Sequence, residues 1–389
     1  MEKFDYIVVG AGIEGSWTAY QLIRDLQKPS VLLLERFPLP HSRGSSHGQT
    51  RIIRHAYPES FHTALMPRAF REWRQLEKDA QTDLLISKPL LCVADESGYQ
   101  GLDNTIARLK EEQAKSNNTI SYSELTPKEL TKEFPQASFS KTHRGCIEYS
   151  AGILLADKCL ATVQTQFKKL GGVIKDGFVV TSIIPGEQVQ VKGHHQGVEK
   201  TEMGGKVAIC PGPWAKKMIE PLLGKKLPIK TLRVPVFYWK VKKGGPGAIP
   251  ASFIDHGAGE FWGIPEVEYK DMIKLCSHST SDEADPDDRD KSFAHPNHDD
   301  LTNYVRKFFP GLEDTPSIIE TCMYSVTPDN VSIIDTIPGE PNIAYACGFS
   351  GTGFKKAPCV GLMLKGLLNP EGPNDDLIPM EPFSFQRFE

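Results

Sequence analysis

The chain has 389 residues and a net charge of −4, from 45 Lys and Arg against 49 Asp and Glu. This balance gives no electrostatic reason to expect nucleic acid or an anionic membrane as a partner. No apolar run approaches the roughly 20 residues that span a bilayer. The eight cysteines contain no C-x-x-C pair, which argues against a zinc site. We therefore expect about two or three domains, no metal and a small-molecule ligand.

The first predicted element is an apolar strand, residues 4–9, followed by the turn Gly10-Ala11-Gly12-Ile13-Glu14-Gly15 and a helix over 16–26. Within the turn, the first glycine permits the tight bend and the second lets the backbone approach a pyrophosphate. The third lets the helix pack close to the strand. A strand, a glycine turn and a helix in this order predict a dinucleotide site.

A second apolar strand, residues 30–35, completes the βαβ unit and ends in Glu35. A carboxylate at this position suits a ribose hydroxyl, which needs an acceptor, and would repel a 2′-phosphate. The unit therefore disfavours NADP. Residues 37–57 follow as a long polar segment with three histidines and three arginines. Loops of this length inside a compact domain are usually functional, although composition alone equally allows a solvated surface loop.

The middle of the chain alternates between two kinds of segment. One consists of amphipathic helices and apolar strands that end in glycine, as in a doubly wound sheet. The other consists of charged helices and long β runs, which suit a sheet that caps a ligand pocket. In order, the predicted elements are a helix over 64–79, mixed elements over 84–139, a helix over 157–170, strands over 173–174, 179–181, 188–191 and 206–210, β runs from 227, an exposed acidic loop over 282–290 and a helix over 299–309.

Near the C-terminus, the apolar strand 343–347 leads into Gly348-Phe349-Ser350-Gly351-Thr352-Gly353-Phe354-Lys355. This glycine turn and helix start supply a second positive helix end, far in sequence from the first. A flavin needs two such groups, because its pyrophosphate takes one helix N-terminus and its reduced ring carries negative charge. An NAD dehydrogenase needs no second glycine turn and helix start near its C-terminus, so the sequence favours FAD.

With these residues assembled, the chain resembles the monomeric sarcosine oxidase family of flavoprotein amine oxidases, and within it the animal peroxisomal sarcosine and pipecolate oxidases. The resemblance covers essentially the whole chain. Four blocks carry it: Gly10 to Gly15, Pro40 to Arg54, Glu320-Thr321-Cys322-Met323-Tyr324, and Cys347 to Lys355. It implies an α/β fold with a Rossmann-like FAD-binding domain, similar to glutathione reductase and D-amino-acid oxidase, formed by 1–85, 146–224 and 318–389. A second, antiparallel-sheet α+β domain for the substrate would comprise 86–145 and 225–317.

The resemblance also implies roles for individual residues. Arg54 and Lys355 match the pair that binds the substrate carboxylate, with Trp262 and Thr352 beside the substrate. Lys274 matches a lysine that stabilises negative charge on O₂, and its place in an apolar strand is costly unless it is paired or functional. His278 matches a histidine on the substrate side, for which an ordinary core position is the alternative. Arg51 and Tyr324 complete the catalytic set.

For FAD, the resemblance implies a covalent bond between Cys322 and the 8α-carbon of the flavin ring. On spacing alone, Cys322 would be one of eight cysteines. The full predicted cofactor set is Gly10, Ala11, Gly12, Ile13, Glu14, Gly15, Glu35, Arg36, Ser42, Ser46, His47, Thr50, Arg51, Val180, Gly212, Trp214, Cys322, Gly348, Gly351, Thr352, Gly353 and Lys355.

The implied activity is the oxidation of a small secondary amino acid such as sarcosine, pipecolate or proline, with O₂ as acceptor and H₂O₂ as product, by a monomer. An oxidase of glycated amino acids, a dehydrogenase with another acceptor and a flavin protein without turnover are the alternatives. Two departures from the family pattern, Trp262 in place of a tyrosine and Thr352 in place of a histidine, bear on substrate preference. The resemblance implies a peroxisomal location, but the chain ends in Arg387-Phe388-Glu389 without a Ser-Lys-Leu type signal, so a cytosolic location is the alternative.

Overall fold

The structure, a computed structural model, describes residues 3–115, 119–257, 259–278, 281–290, 298–372 and 378–389. Among these residues, no helix is both long and apolar enough to cross a bilayer. The helices are α1 (Ile13–Asp25), α2 (Ser60–Ala80), α3 (Tyr99–Lys115), α4 (Pro127–Glu133), α5 (Ala156–Lys169), α6 (Ala215–Leu223), α7 (Asp299–Phe308) and α8 (Gly353–Leu368). The strands are β1 (Lys3–Val9), β2 (Val31–Leu34), β3 (Thr50–Ile53), β4 (Leu85–Ser87), β5 (Leu90–Ala94), β6 (Tyr122–Leu125), β7 (Arg144–Glu148), β8 (Gly152–Leu155), β9 (Val173–Lys175), β10 (Phe178–Ile184), β11 (Val189–His195), β12 (Val198–Ile209), β13 (Lys230–Lys240), β14 (Ser252–Asp255), β15 (Phe261–Ile264), β16 (Met272–Ser277), β17 (Asp282–Glu283), β18 (Ile318–Val326), β19 (Ile333–Ile337) and β20 (Glu340–Cys347).

An eight-stranded sheet carries the predicted nucleotide-binding turn. Its parallel core runs β9, β2, β1, β12, β20, while β10 and β11 extend it as an antiparallel edge and β19 pairs with β20. The core strands carry apolar side chains on both faces because other elements cover both faces of the sheet, as expected for parallel strands. Apolar residues of α1, α2, α5 and α8 pack on one face, and residues of α6 and the C-terminal segment pack on the other.

A nine-stranded, mostly antiparallel sheet forms the second layer. From β13 the order runs β16, β15, β14, β5, β7, β6, and β17 pairs with the same edge of β13 as β16. β18 pairs with the other edge of β13. Residues of α4 and α7 cover one face of this sheet. The pairing differs from the predicted boundaries at two strands: β18, predicted with the nucleotide-binding segments, pairs with β13 along its whole length, and β7 pairs with β5 and β6. The division into two domains stays a prediction.

The glycine turn after β1 brings α1 unusually close to the sheet. Gly10 has φ +100°, and a Cβ placed on it would lie 2.2 Å from the Cys210 carbonyl oxygen at the end of β12. A Cβ placed on Gly15 would lie 1.9 Å from the Gly10 carbonyl oxygen. Both contacts are with backbone, which cannot move aside as a flexible side chain can. The sequence can therefore place α1 against β1 only if both positions are glycine.

We expect Gly15→Ala to destabilise the fold, because the added methyl group forces the backbone of α1 away from β1. A loss of about 2 kcal/mol or more in the free energy of unfolding is expected, measured by urea denaturation. Gly186→Ala is the matched control, since a Cβ there meets nothing nearer than 3.5 Å. Equal stability of Gly15→Ala and the wild type would contradict the packing described.

Candidate active site

One large cavity, about 1290 Å³ in volume, extends from the glycine turn after β1 to the face of the nine-stranded sheet. It collects most of the predicted site residues, although they lie far apart in sequence. Of the predicted site residues, Gly15 and Gly348 do not line the cavity. Gly15 contributes instead by letting α1 pack close to β1. The predicted residues on the wall are Gly10, Ala11, Gly12, Ile13, Glu14, Glu35, Arg36, Ser42, Ser46, His47, Thr50, Arg51, Arg54, Val180, Gly212, Trp214, Trp262, Lys274, His278, Cys322, Tyr324, Gly351, Thr352, Gly353 and Lys355.

At one end of the cavity, Glu35 is held in place by the glycine turn. Its Oε2 accepts a hydrogen bond from the Ala11 N–H at 2.8 Å, and its Oε1 accepts one from the Phe37 N–H at 3.0 Å. Gly12 precedes α1 and has no side chain to cap it, so the Ile13 N–H donates to the Ser46 hydroxyl at 3.0 Å instead. A helix N-terminus without a capping side chain of its own, beside an ordered carboxylate, fits the pyrophosphate and ribose of a dinucleotide.

The acidic run 282–290, predicted as an exposed loop, does expose most of its acidic side chains, and it also contacts residues at this end of the site. Its Asp287 accepts a hydrogen bond from the Trp214 indole N–H at 2.8 Å and pairs with Arg36 at 2.8 Å. Arg289 is buried and donates to the Ser42 carbonyl oxygen. The predicted exposure is therefore confirmed, but a run of acidic residues contains no indication of which distant cations will pair with it.

The N-terminus of α8 lies beside that of α1. A Cβ placed on Gly353, the first residue of α8, would lie 2.5 Å from Glu14 Oε1 in the first turn of α1. Burial raises the pKa of Glu14 to about 7. Gly351, with φ +76°, turns the chain into α8 next to the ring of Tyr324. Two positive helix ends from opposite ends of the chain therefore meet at one cavity.

The polar segment 37–57 folds over the cavity, with β3 as its last part. Arg51 organises this segment by donating to three carbonyl oxygens: that of Thr50 at 2.7 Å, that of Ser45 at 3.0 Å and that of His47 at 2.6 Å. The His47 ring lies 3.0 Å from the Thr321 carbonyl oxygen in β18. Through these contacts the segment is held against the strand that carries the predicted flavin attachment site.

Cys322 lies in β18 directly opposite Val234 of β13, and its thiol faces the cavity next to the Ser45 carbonyl oxygen, 3.8 Å away. All eight cysteines are unpaired and buried, and Cys210 is the other that lines the cavity. Position on the cavity wall therefore reduces the eight cysteines to two candidates for flavin attachment.

Arg54 and Lys355 approach each other around the ring of Tyr57. Arg54 Cζ lies 4.1 Å and Lys355 Nζ 5.9 Å from the ring centroid. Arg54 Nη1 is buried and has no hydrogen-bond partner among the described residues. Burial lowers the pKa of Lys355 well below its usual value, and the charge of Arg54 lowers it further. Two cations held together in a buried cavity require an anion, which a substrate carboxylate can supply.

Lys274 reaches the cavity from β16, whose alternate residues Ile273 and Leu275 point into the core on the other face. Its ammonium group contacts the Thr50 hydroxyl at 3.2 Å and forms an ion pair with Glu268, whose carboxylate is 3% exposed. Sequence reasoning missed Glu268. A lysine in an apolar strand requires a carboxylate partner, but nothing in the sequence identifies which of the acidic residues it is.

Glu268 also receives a hydrogen bond from Tyr238, which is paired with Lys274 across β13 and β16. The Tyr238 hydroxyl contacts Glu320 at 3.1 Å as well, and Tyr269 donates to Glu320 at 2.8 Å. Burial and the two carboxylates raise the pKa of Tyr238 far above its usual value. This network fixes the Lys274 ammonium group in one position on the cavity wall.

Three aromatic rings, those of His278, Trp262 and Tyr324, lie together on the cavity wall. The His278 ring is 6.3 Å from that of Trp262 and 5.8 Å from that of Tyr324. The surrounding protein lowers the pKa of His278, which favours the neutral imidazole, the form that can accept a hydrogen bond. His256, which the sequence did not single out, also lines the cavity, and its buried Nε2 has no hydrogen-bond partner within the described part of the chain.

Comparisons with known proteins agree with this geometry. A family model described as FAD dependent oxidoreductase matches residues 5–367. Peroxisomal sarcosine oxidase from Mus musculus is 39% identical over 395 residues, which cover 99% of this chain and 96% of that protein. Monomeric sarcosine oxidase from Bacillus sp. (strain NS-129) is 28% identical over 374 residues, covering 94% of this chain and 92% of that protein. The solved structure of NikD, described as an unusual amino acid oxidase, has a TM-score of 0.81 at 19% identity and covers 99% of this chain and 98% of its own.

The fold and the cavity thus define an FAD-dependent oxidoreductase, and the predicted α/β class is confirmed. The chain belongs to the sarcosine oxidase family and is an FAD-dependent oxidase of that family.

One buried carboxylate supports the strand that leads to Arg54. Glu148 is 1% exposed and accepts hydrogen bonds from the backbone N–H groups of His55 and Ala56, each at 3.0 Å, and from the His55 ring at 2.7 Å. Burial alone would raise the pKa of Glu148, but these hydrogen bonds outweigh it and hold the pKa below its usual value.

We expect Glu148→Gln to lower the free energy of unfolding by about 2 kcal/mol at neutral pH. Because the folded pKa is depressed, the wild-type advantage is complete above the ordinary glutamate value of about 4.3 and disappears as the pH falls through the folded value. Urea denaturation between about pH 7 and pH 3 measures it. The exposed Glu124→Gln is the control. A difference between Glu148→Gln and wild type that stays constant over this range would contradict the assignment.

Proposed function

We propose that the enzyme oxidises small secondary amino acids such as sarcosine, L-pipecolate or L-proline, reducing O₂ to H₂O₂. The observation that carries this proposal is the pair Arg54, partly buried, and Lys355, buried, around Tyr57, in the same cavity as the two helix N-termini. The guanidinium group of Arg54 suits both oxygens of a carboxylate, and Lys355 adds a point charge from another direction. The names of the relatives, which are sarcosine oxidases, support the same substrate class.

The residues present fit FAD, with the turn 10–15 and Glu35 holding the nucleotide and Cys322 as the covalent attachment site. When bound, FAD supplies the acceptor for two electrons from the carbon beside the amine nitrogen. Around it, Arg54 and Lys355 bind and orient the carboxylate, and His278 accepts a hydrogen bond from the amine. Lys274 places a positive charge where negative charge develops on oxygen.

Two further properties are proposed from the relatives. The name monomeric sarcosine oxidase, carried by bacterial relatives, supports a monomer. The name peroxisomal sarcosine oxidase, carried by mouse and human relatives, supports a peroxisomal location.

Incubation with sarcosine, L-pipecolate and L-proline in air should release H₂O₂ in step with amine consumption, measured by a coupled peroxidase assay. Arg54→Met should raise KM about 10- to 100-fold, because it removes a charged hydrogen bond to the carboxylate. The exposed Arg71→Met is the control. Peroxide from none of the three amines would refute the proposal, and turnover only with an artificial acceptor would identify a dehydrogenase.

Lys274→Met should slow the reaction of the reduced enzyme with O₂ about 100-fold or more, because the charge beside the developing oxygen anion is lost. Anaerobic reduction by substrate should change little. Stopped-flow absorbance measures both half-reactions separately. The exposed Lys270→Met, four residues earlier, is the matched control. An unchanged rate with O₂ would remove Lys274 from this role.

Acid precipitation should leave the flavin of the wild-type enzyme in the pellet and release that of Cys322→Ser into the supernatant, because the thioether bond survives unfolding. Absorbance of the two fractions measures the distribution. Cys210→Ser, which alters the other cysteine on the cavity wall, should retain its flavin in the pellet. Release of flavin from the wild type would show that the bond does not form.

A further inference from the structure

Three cations, not two, surround the ring of Tyr57. Besides Arg54 and Lys355, the Nζ of Lys356 lies 5.9 Å from the ring centroid, and Lys356 is only 2% exposed. The exposed carboxylate of Glu59 is the main acidic group that acts on Lys356. A single substrate carboxylate accounts for Arg54 and Lys355 but leaves the third cation without a role.

Lys356 is connected to the cavity through His62. Its Nζ lies 3.1 Å from Nδ1 of His62, which is 4% exposed and lines the cavity. Burial and the nearby cations lower the pKa of His62 to about 2, so the ring is neutral. Because Lys356 donates to Nδ1, the single ring proton lies on Nε2. Contacts with the rings of Tyr57 at 5.3 Å and Phe61 at 4.4 Å fix the orientation of this donor.

This cluster stores electrostatic repulsion that an anion would relieve. Burial lowers the pKa of Lys356 to about 7 and lowers that of Lys355 well below its usual value, and in both cases Arg54 adds to the effect. Depressed values of this kind arise where like charges share a poorly solvated space. A ligand with two negative charges therefore gains more from the cluster than a ligand with one.

We propose that His62 and Lys356 form a second anion subsite beside Arg54 and Lys355, and that the preferred substrates are secondary amino acids with a second carboxylate, such as N-methyl-L-glutamate. The inference rests on the proposed function, which assigns Arg54 and Lys355 to the first carboxylate. The His62 Nε2–H donates to the second carboxylate, while Lys356 behind it supplies positive charge.

Calorimetric binding to the holoenzyme tests the subsite without turnover. Succinate and glutarate should bind at least about tenfold more tightly than butyrate and pentanoate, which match them in length. At about pH 8, binding of the dicarboxylates should take up protons, because an anion raises the depressed lysine pKa values. Lys356→Met should abolish the preference while changing the monocarboxylate affinities less than about twofold. The exposed Lys78→Met, at the end of α2, should behave as wild type.

His62→Phe tests the same subsite by altering its other member. It should lower kcat/KM for N-methyl-L-glutamate about tenfold relative to N-methyl-L-norvaline, through KM rather than kcat. Equal binding of dicarboxylates and monocarboxylates by the wild type, or equal weakening of both by Lys356→Met, would overturn the subsite. An enzyme that prefers dicarboxylates but oxidises neither amine would retain the subsite and refute the proposed function instead.

Discussion

The contact between two helices from opposite ends of the chain is the constraint on which the rest of the site depends. α1 begins at Ile13 and α8 begins at Gly353, yet their N-termini open onto one cavity. Backbone proximity makes this possible: a Cβ on Gly361 of α8 would lie 3.0 Å from the Thr18 N atom of α1. The Gln21 side chain then bonds the Pro358 carbonyl oxygen at 2.9 Å. Helix ends fixed in this way present a positive potential that needs no side-chain charge.

The cavity combines this potential with cations that the protein holds at a cost. Arg54, Lys355 and Lys356 are grouped around Tyr57, with the exposed Glu59 as the main acidic group acting on Lys356, while Lys274 has its own partner in Glu268. The two arrangements suit different tasks. An ammonium group without a counterion is ready for an anionic ligand, whereas one held by a carboxylate and a hydroxyl keeps a fixed position throughout a reaction.

Much of the architecture could be predicted because its signals are local. The turn 10–15 and the return at 348–355 each place a glycine turn between an apolar strand and a helix, and such patterns are read from neighbouring residues. Lys274 was also recognisable, since a lysine between Ile273 and Leu275 contradicts the apolar pattern of its strand. The fold class follows from these elements together with their order.

Long-range pairing could not be predicted. β18 looks like another apolar strand, and only its register with β13 assigns it to the nine-stranded sheet. Glu268, His62 and Lys356 escaped notice for the same reason: each gains its meaning from a partner that the sequence does not identify. An acidic residue in a loop and a histidine on an amphipathic helix are ordinary features until the fold brings a buried lysine to within hydrogen-bond distance.

A crystal structure of the purified enzyme with FAD and a bound monocarboxylate such as acetate would test the central claim most directly. The pyrophosphate is expected at the N-terminus of α1, the flavin ring between Cys322 and the N-terminus of α8, and the carboxylate between Arg54 and Lys355. A flavin ring remote from α8, or a carboxylate bound away from both cations, would contradict this account.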